Sequence, residues 1–405
     1  MPELNETSAP RLWPSDVRDE VRESMTRLPR FLALPLTMLT GRPHAEQKPL
    51  RFTPTAHLVN AFSSLVCGLA VSATALAARG WCLVLLLPGW AVTLHAMRNL
   101  RMMVFHQCAH RNMWRKPKPD ALLGEFLAGL LVVQDFDRYS AEHVKDHHAV
   151  HHMTLRDPTV QAILVSLELA PGMSRRAMWR KVLGKLASPR FHARFLVARV
   201  RSYWHGTKPS GRAVWLLSMA AVATLATWLH LWVFVLLGWV VPLTFFYQVS
   251  NTLRLCVKHT FPAADEKARK GRHYFGSLTN AIFLGEAAPP AGLPTGRRAR
   301  AWCRWWLRML FVHFPARYLV LTGDTVVHDF HHRYPMSKDW ANYVFAREAD
   351  NAAGAPGWPA YRHAWGLIPA MDAVFDSLRA ADPEEYSLVR LSEVNERELF
   401  AAFDD

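Results

Sequence analysis

Two long uncharged stretches constrain the fold of this 405-residue chain more than any other feature. Leu58–Ala78 and Trp81–Met97 contain no Asp, Glu, Lys or Arg, and two residues separate them. Val214–Val249 is free of these four residue types over 36 residues. A helix that crosses a bilayer needs ~20 mainly apolar residues. We therefore predict an all-α integral membrane protein with four transmembrane helices in two hairpins.

The topology follows from the even number of spans. The N-terminal arm, residues 98–212 and the residues after about 250 share one side, which carries nearly all of the 48 basic residues. Basic segments next to spans stay in the cytoplasm. We predict a multi-pass protein of the inner or plasma membrane with a cytoplasmic helical cap, and no signal peptide in the first 30 residues. The alternative is a soluble all-α protein with these stretches in its core.

Composition excludes several other classes of protein. The chain is 51% hydrophobic and 20% charged, which excludes a disordered chain. Five scattered cysteines form no CxxC pair, so neither a disulfide framework nor a Cys-rich zinc site is indicated. The net charge of +15 favours an anionic partner. We interpret Arg297, Arg298, Arg300 and the segment Arg175–Lys185 as charge facing solvent or lipid headgroups. No recognition motif accompanies them, so we predict no nucleic-acid binding.

Half of the twenty histidines fall in three short windows that together span 20 residues. The windows are HQCAH with His106 and His110, HVKDHHAVHH with His143, His147, His148, His151 and His152, and HDFHH with His328, His331 and His332. Residues at i, i+3 and i+4 share one face of an α-helix. Each window can therefore present two or three imidazoles, which are common ligands of iron, copper, zinc and nickel. The sets that share a face in this way supply eight imidazoles, namely His106/His110, His148/His151/His152 and His328/His331/His332. Eight imidazoles exceed the need of one ion, so we predict a site for two.

The residue types favour iron over zinc. A zinc peptidase carries HExxH, in which Glu is the general base, and this chain has Gln107 at that position. Clustered imidazoles beside a membrane, without thiolates or a hydrolytic base, are typical of oxygen-activating iron. A membrane zinc enzyme and a metal transporter are the alternatives. A transporter should place polar ligands inside its spans, and the uncharged stretches offer few.

The three windows, interleaved with two predicted hairpins, resemble the histidine boxes of the membrane-bound fatty acid desaturase and hydroxylase superfamily. The order HxxxH, HxxHH, HxxHH is similar, as are Thr154, Asp157 and Pro158 after the second box. The resemblance covers residues from about 58 to about 335. It implies a non-heme di-iron centre that uses dioxygen to desaturate a fatty acyl chain. Hydroxylation of an acyl chain or another lipid by the same centre is the alternative that it leaves open.

By matching position, the resemblance implies nine metal ligands and no further catalytic residue. They are His106, His110, His148, His151, His152, His259, His328, His331 and His332. His259 matches a ligand that the family commonly adds after the last span. His143 and His147 are extra to the pattern and permit an alternative second box, which the sequence does not exclude. Nearby carboxylates are candidates to accept imidazole N–H bonds, namely Asp146, Asp157, Asp324 and Asp329.

The implied reaction also needs partners. The chain shows no haem, flavin or iron–sulfur motif, so we expect electrons from an external ferredoxin, rubredoxin or cytochrome. The other expected partners are dioxygen, a fatty acyl or other lipid substrate and the surrounding membrane lipids. We predict a cytoplasmic N-terminal arm (1–57), a desaturase-like membrane and catalytic domain (58–350) and a cytoplasmic C-terminal tail (351–405).

Overall fold

The structure, a computed structural model, describes residues 19–44, 47–265 and 271–394, and this part of the chain is mostly helical. Its α-helices up to the second long apolar stretch are α1 (Asp19–Ser24), α2 (Ala33–Thr40), α3 (Pro54–Ala78), α4 (Leu86–Asn99), α5 (His106–Ala109), α6 (Pro117–Leu131), α7 (Phe136–Glu142), α8 (Pro158–Gln161), α9 (Arg175–Leu186) and α10 (Pro189–Gly206). The later ones are α11 (Pro209–Trp228), α12 (Trp232–Phe234), α13 (Tyr247–Leu255), α14 (Gly271–Leu278), α15 (Thr295–Arg308), α16 (His328–Arg333), α17 (Tyr343–Ala352), α18 (Leu367–Ala380) and α19 (Leu388–Val394).

Several further segments wind more widely or more tightly than an α-helix. The π-helical segments are Leu100–Phe105, His143–Val150, Ala162–Ser166, Val235–Val240, Pro242–Phe246, Met309–His313 and Ala316–Val320. The 3-10 turns are Met25–Arg27, Arg30–Leu32, Gly80–Leu85, Gly323–Val327 and Lys338–Asn342. The π-helix is rare and occurs frequently at functional sites. Two of these π segments, Leu100–Phe105 and His143–Val150, belong to the stretches that carry histidine boxes.

Four helices in the described part of the chain are long and apolar enough to cross a membrane. They are Pro54–Ala78, Gly80–Ala109, Pro209–Trp228 and Trp232–Leu255, here called spans 1 to 4. The prediction of a mostly helical chain with four spans is therefore confirmed. The first two spans are separated at Arg79 and the last two at His230, and both residues have positive φ angles. Span 1 begins with Pro54 after Thr53, whose side chain accepts a hydrogen bond from the Ala56 amide.

Spans 1 and 2 pack backbone against backbone. A Cβ atom built on Gly68 would lie 2.6 Å from the Thr93 amide nitrogen. One built on Gly89 would lie 3.1 Å from the Ser72 amide nitrogen. Small residues at these positions let the two helices approach closely, as they do in many membrane proteins.

Span 3 is almost wholly exposed on the surface of the protein. Large apolar side chains such as Val214, Leu217 and Trp228 are 64–74% exposed. A contiguous exposed apolar surface is costly in water and is expected where a helix faces lipid. The exposed surface of span 3 therefore agrees with its apolar sequence.

A short strand pair departs from the all-α prediction. β1 (Ala281–Phe283) and β2 (His363–Trp365) pair in parallel, with Ile282 opposite Ala364. Every residue of β1 is buried. Sequence periodicity cannot indicate strands of three residues. The pair joins the chain after α17 to the segment before α15, so that α15, α16 and α17 lie within the crossover between the strands.

Candidate metal centre

Histidines from four separate stretches of the chain meet in the interior. Their ring nitrogens form two groups, within each of which the nitrogens lie within 4.8 Å of one another. Group 1 contains His106, His110, His143, His148 and His331. Group 2 contains His147, His259, His328 and His332. The groups adjoin, because the rings of His148 and His332 stack with their centroids 4.3 Å apart.

Four members of group 1 arrange their Nε2 atoms in a closed ring. The distances are 2.7 Å from His331 to His106, 3.2 Å from His106 to His143, 3.0 Å from His143 to His148 and 3.0 Å from His148 to His331. A square with sides of about 3 Å has its centre about 2.1 Å from each corner, which is the length of an imidazole–metal bond. The spacing of this ring therefore fits one metal ion.

The fifth member of group 1, His110, faces the same ring. Its ring centroid lies between 4.9 and 5.1 Å from the centroids of the other four imidazoles. Its Nε2 atom is buried and has no hydrogen-bond partner in the described part of the chain. A buried polar atom without a partner is costly, and a fifth bond to a metal ion would satisfy it.

Hydrogen bonding alone cannot account for the group 1 ring. A neutral imidazole nitrogen carries either one proton or one lone pair, so it makes a single hydrogen bond. Four nitrogens in a closed ring can therefore form at most two hydrogen bonds, and the other two close contacts stay unsatisfied. A shared cation removes this conflict, because every nitrogen can then turn its lone pair inward. The residues present fit a bound metal ion.

Group 2 repeats the arrangement with fewer close contacts. The Nε2 atoms of His147 and His259 lie 3.2 Å apart, and those of His328 and His332 lie 3.0 Å apart. His152 lies beside the group, with its ring centroid 4.7 Å from that of His259. Its Nδ1 donates to the His147 carbonyl at 3.1 Å. Its Nε2 is buried without a partner among the described residues. His152 can therefore supply a further nitrogen to group 2.

The structure brings His143 and His147 into the groups and leaves His151 outside both. The sequence analysis favoured His148, His151 and His152, because Thr154, Asp157 and Pro158 follow this box in the way that the resemblance implies. His143–Val150 is a π-helix, whose hydrogen bonds run from i to i+5. This wider winding aligns His143 with His148, and His152, in the turn that follows, hydrogen-bonds to the His147 carbonyl. The His151 carbonyl accepts a hydrogen bond from Thr154, and its ring is half-buried away from the groups.

Asp157 positions one of these imidazoles. Its carboxylate lies 3.1 and 3.2 Å from His147 Nδ1, and both side chains are fully buried. The same carboxylate accepts hydrogen bonds from the Met153 and Thr159 amides at 2.8 Å each. An acceptor at Nδ1 keeps the proton there and directs the Nε2 lone pair toward group 2.

The other predicted carboxylates have different surroundings. Asp324 lies beside Gln107, and burial raises the pKa of its carboxyl to about 7. Asp329 pairs with Arg347, which the sequence analysis did not single out because no motif marks an arginine 18 residues after the carboxylate. The side chain of Asp146 lies outside the described residues.

The histidines outside the spans are held in their neutral form. Burial lowers the pKa of His110 to about 4. Burial also lowers the pKa of His152 to about 3, although a hydrogen bond to the His147 carbonyl opposes the change. Burial and, secondarily, the neighbouring Lys258 cation hold the pKa of His147 well below its ordinary value. For His148, burial and then the neighbouring His143 have the same effect. Neutral imidazole is the form that binds metals.

Four apolar helices and two buried groups of imidazoles that could hold metal ions are typical of a membrane metalloprotein. The family model described as fatty acid desaturase matches residues 80–365, and the chain belongs to that family. The resemblance identified in the sequence is therefore confirmed. No curated protein and no solved structure matches the chain.

Membership of this family has direct functional consequences. It makes the protein an oxidoreductase of the desaturase and hydroxylase type that acts on fatty acyl chains. The family uses non-heme iron and requires a lipid substrate and oxygen. An all-imidazole donor set suits iron.

Proposed function

We propose that this protein is an O2-dependent desaturase of fatty acyl chains with two non-heme irons. Group 1 holds one iron and group 2, together with His152, holds the other. The proposal rests above all on the closed ring of four Nε2 atoms in group 1, which neutral imidazoles cannot satisfy by hydrogen bonding alone. The ligand set is then His106, His110, His143, His148 and His331 for one ion, and His147, His152, His259, His328 and His332 for the other.

The irons, when bound, supply the activation of dioxygen and the removal of hydrogen from an unactivated C–H bond. The chain supplies a dry and rigid setting for this chemistry, since nearly every ring in the two groups is buried. Asp157 holds the proton of His147 on Nδ1, and the His147 carbonyl holds that of His152 on its own Nδ1. Both rings therefore keep an Nε2 lone pair directed inward.

The membrane arrangement belongs to the same proposal. Spans 1 and 2 form one hairpin and spans 3 and 4 the other. The histidine groups lie at the cytoplasmic face of the inner or plasma membrane, within a helical cap. A basic cytoplasmic surface would attract an acidic electron carrier, which we expect to be a ferredoxin, rubredoxin or cytochrome. The arm of residues 1–57 and the tail of residues 351–405 flank the catalytic domain.

The proposal is tested by metal analysis and lipid analysis of one purified protein. We expect about two irons per chain, a number that follows from two imidazole groups of four or five ligands each. We also expect an oxygen-dependent acyl product in cells that express the chain. His148→Ala should lose both, whereas His192→Ala should keep both, because the His192 ring belongs to neither histidine group and hydrogen-bonds to the Leu186 carbonyl at the end of α9. Retention of iron and product by His148→Ala would refute the proposal.

Hydroxylation by the same centre is the second candidate. The family includes both reactions, which differ by small changes in the position of the carbon attacked. Mass spectrometry separates them, because desaturation lowers the acyl mass by two hydrogens and hydroxylation raises it by one oxygen. Zinc in place of iron would indicate the zinc-enzyme alternative, and variable metal loading without a lipid product would indicate a transporter.

A further inference from the structure

The third histidine box follows a long helix whose end packs against the middle of span 2 and the C-terminal part of span 4. Residues 295–320 are continuously helical, from α15 through Met309–His313 to Ala316–Val320. Near its end, the ring of Tyr318 stacks on His95 of span 2, with centroids 3.6 Å apart and planes inclined by 3°. The next residue, Leu319, accepts a hydrogen bond from Ser250 of span 4.

These contacts set the depth that the helix reaches. His95 precedes His106 by eleven residues on the same span. The rise is at most 1.5 Å per residue, since Leu100–Phe105 between them is a π-helix, so His95 lies no more than about 16 Å from His106 along the helix axis. The hydrocarbon core of a bilayer is about 30 Å thick. If the histidine groups lie at one face of the membrane, the end of the helix at Tyr318 lies inside the hydrocarbon core, no deeper than about its centre.

The chain then returns along span 2 to the histidine groups. Gly323 has a positive φ of 62°, and a Cβ atom added to it would lie 2.2 Å from Cγ of Met103. Residues 322–327, which connect the helix to His328, are all buried. Backbone that is not α-helical is tolerated at membrane depth only where protein covers it. A descending helix and a covered return segment are the two parts of a re-entrant element.

The surface of the helix changes character along its length. Its first part exposes Arg297, Arg298, Arg300 and Arg304, and residues 295–320 contain no acidic residue. Its later part exposes large apolar side chains, with Leu307 52% and Phe311 73% exposed. The opposite face of the helix, with Trp305 and Met309, is buried in the protein. Basic residues next to an apolar stripe are typical of a segment that binds an anionic lipid surface.

We propose that residues 295–320 form a re-entrant helix that binds one leaflet, with its arginines on anionic headgroups and its stripe of Leu307, Leu310, Phe311 and Phe314 on the acyl chains. This inference rests on the membrane arrangement in the proposed function, but it needs neither the irons nor a reaction. Its failure would leave the histidine groups and their chemistry untouched.

Fluorescent labels on single cysteines test the depth of the helix. Native Cys303 and the variants Leu307→Cys and Phe311→Cys supply three positions, each in a chain whose other exposed or partly exposed cysteines are replaced by serine. Native Cys67, exposed near the middle of span 1, gives the reference for the bilayer centre. The protein is reconstituted in phosphatidylcholine vesicles whose lipids carry bromine at shallow or deep acyl positions. We expect deep bromines to quench the label at 67, and shallow bromines to quench the labels at 303 and 311, since Phe311 lies seven residues, about 10 Å, before Tyr318.

Two results would overturn the placement in the leaflet. One is that aqueous iodide quenches the labels at 307 and 311 as strongly as it quenches a label on an exposed loop residue. The other is protection of both labels from iodide and bromolipid alike, which would indicate a protein partner on this face.

The arginines are tested by adding phosphatidylglycerol to the vesicles. We expect the label at Cys303 to move deeper, and R297Q/R298Q/R300Q/R304Q to abolish that shift. The control R176Q/R180Q removes two exposed arginines from α9, which lies outside residues 295–320, and should keep the shift. An unchanged shift in the quadruple variant would refute the assignment of these arginines to anionic headgroups.

Discussion

Arg347 donates three hydrogen bonds to the carboxylate of Asp329, and both side chains are buried. Its Nε lies 3.0 Å from each carboxylate oxygen of Asp329, and its Nη2 lies 2.7 Å from Oδ2. Asp329 lies on α16 between two histidines of the groups, and Arg347 lies on α17. The guanidinium also faces the rings of Phe283 and Tyr361, at 4.9 and 4.3 Å. The Asp329 carboxylate therefore holds α16, which carries the third box, against α17. It does not hold the proton of an imidazole in the way that Asp157 does.

Replacing Arg347 with Met should destabilise the protein and loosen its metal site. The change leaves the Asp329 carboxylate buried and unpaired, which costs about 3–5 kcal/mol. We expect a lower thermal midpoint and reduced iron occupancy, both measurable on protein purified in detergent.

The matched control for Arg347→Met lies on the next residue of the same helix. Glu348→Gln removes ion pairs to the partly exposed Arg22 and the buried Arg42, at 2.8 and 3.3 Å. The glutamine oxygen can still accept a hydrogen bond from either arginine, so iron occupancy should not change. Equal loss of iron in both variants would argue against a specific role for the Arg347 pair.

Substitutions in the second histidine box distinguish the ligands that the π-helix supplies from those that an α-helix would supply. We expect His143→Ala and His147→Ala to lose iron, and His151→Ala to retain both iron and activity. The loss should exceed the ~10–100-fold fall in metal affinity that removal of a residue supporting a ligand causes. Titration of metal-free protein with Co2+, followed by its absorption spectrum, measures the affinity directly. Loss of metal from His151→Ala with retention by His147→Ala would reverse the assignment.

Asp157→Asn should weaken metal binding without unfolding the protein. An amide can still accept the Thr159 amide hydrogen bond that begins α8. It cannot hold the His147 proton as a carboxylate does, so we expect affinity to fall by ~10–100-fold. Asp135→Asn, which changes the N-cap of α7 in the same way, is the control. A similar affinity in Asp157→Asn and the wild-type chain would exclude this role.

The neutral histidines make the metal-free protein sensitive to acid. Burial lowers the pKa of His110 to about 4, while an unfolded histidine titrates near 6.5. Between these values the unfolded chain binds more protons, so unfolding becomes easier as the pH falls. The contribution of His110 to stability is complete above about pH 6.5 and is lost by about pH 4, at about 1.4 kcal/mol per pH unit. Thermal unfolding across this range measures the slope, which should be smaller in His110→Asn. A midpoint independent of pH would contradict the expected neutral state.

The sequence predicted the parts of the fold that depend on composition. The uncharged stretches predicted the four spans, and the histidine spacing marked the windows that meet. The winding of His143–Val150 could not be predicted, because histidines there recur at spacings of three (148/151), four (143/147) and five (143/148), and tertiary packing decides among them. The partner of Asp329 lies on another helix, and local spacing contains no information about it.

The close packing of spans 1 and 2 limits how a lipid can reach the metal centre. Gly68 and Gly89 bring the two backbones so near that even a methyl group would clash at either glycine. An acyl chain is wider than a methyl group and cannot pass between these helices. A lipid substrate must therefore reach the histidine groups from another side of the helix bundle. A bulky residue at either glycine should force spans 1 and 2 apart and should not narrow the route of the substrate.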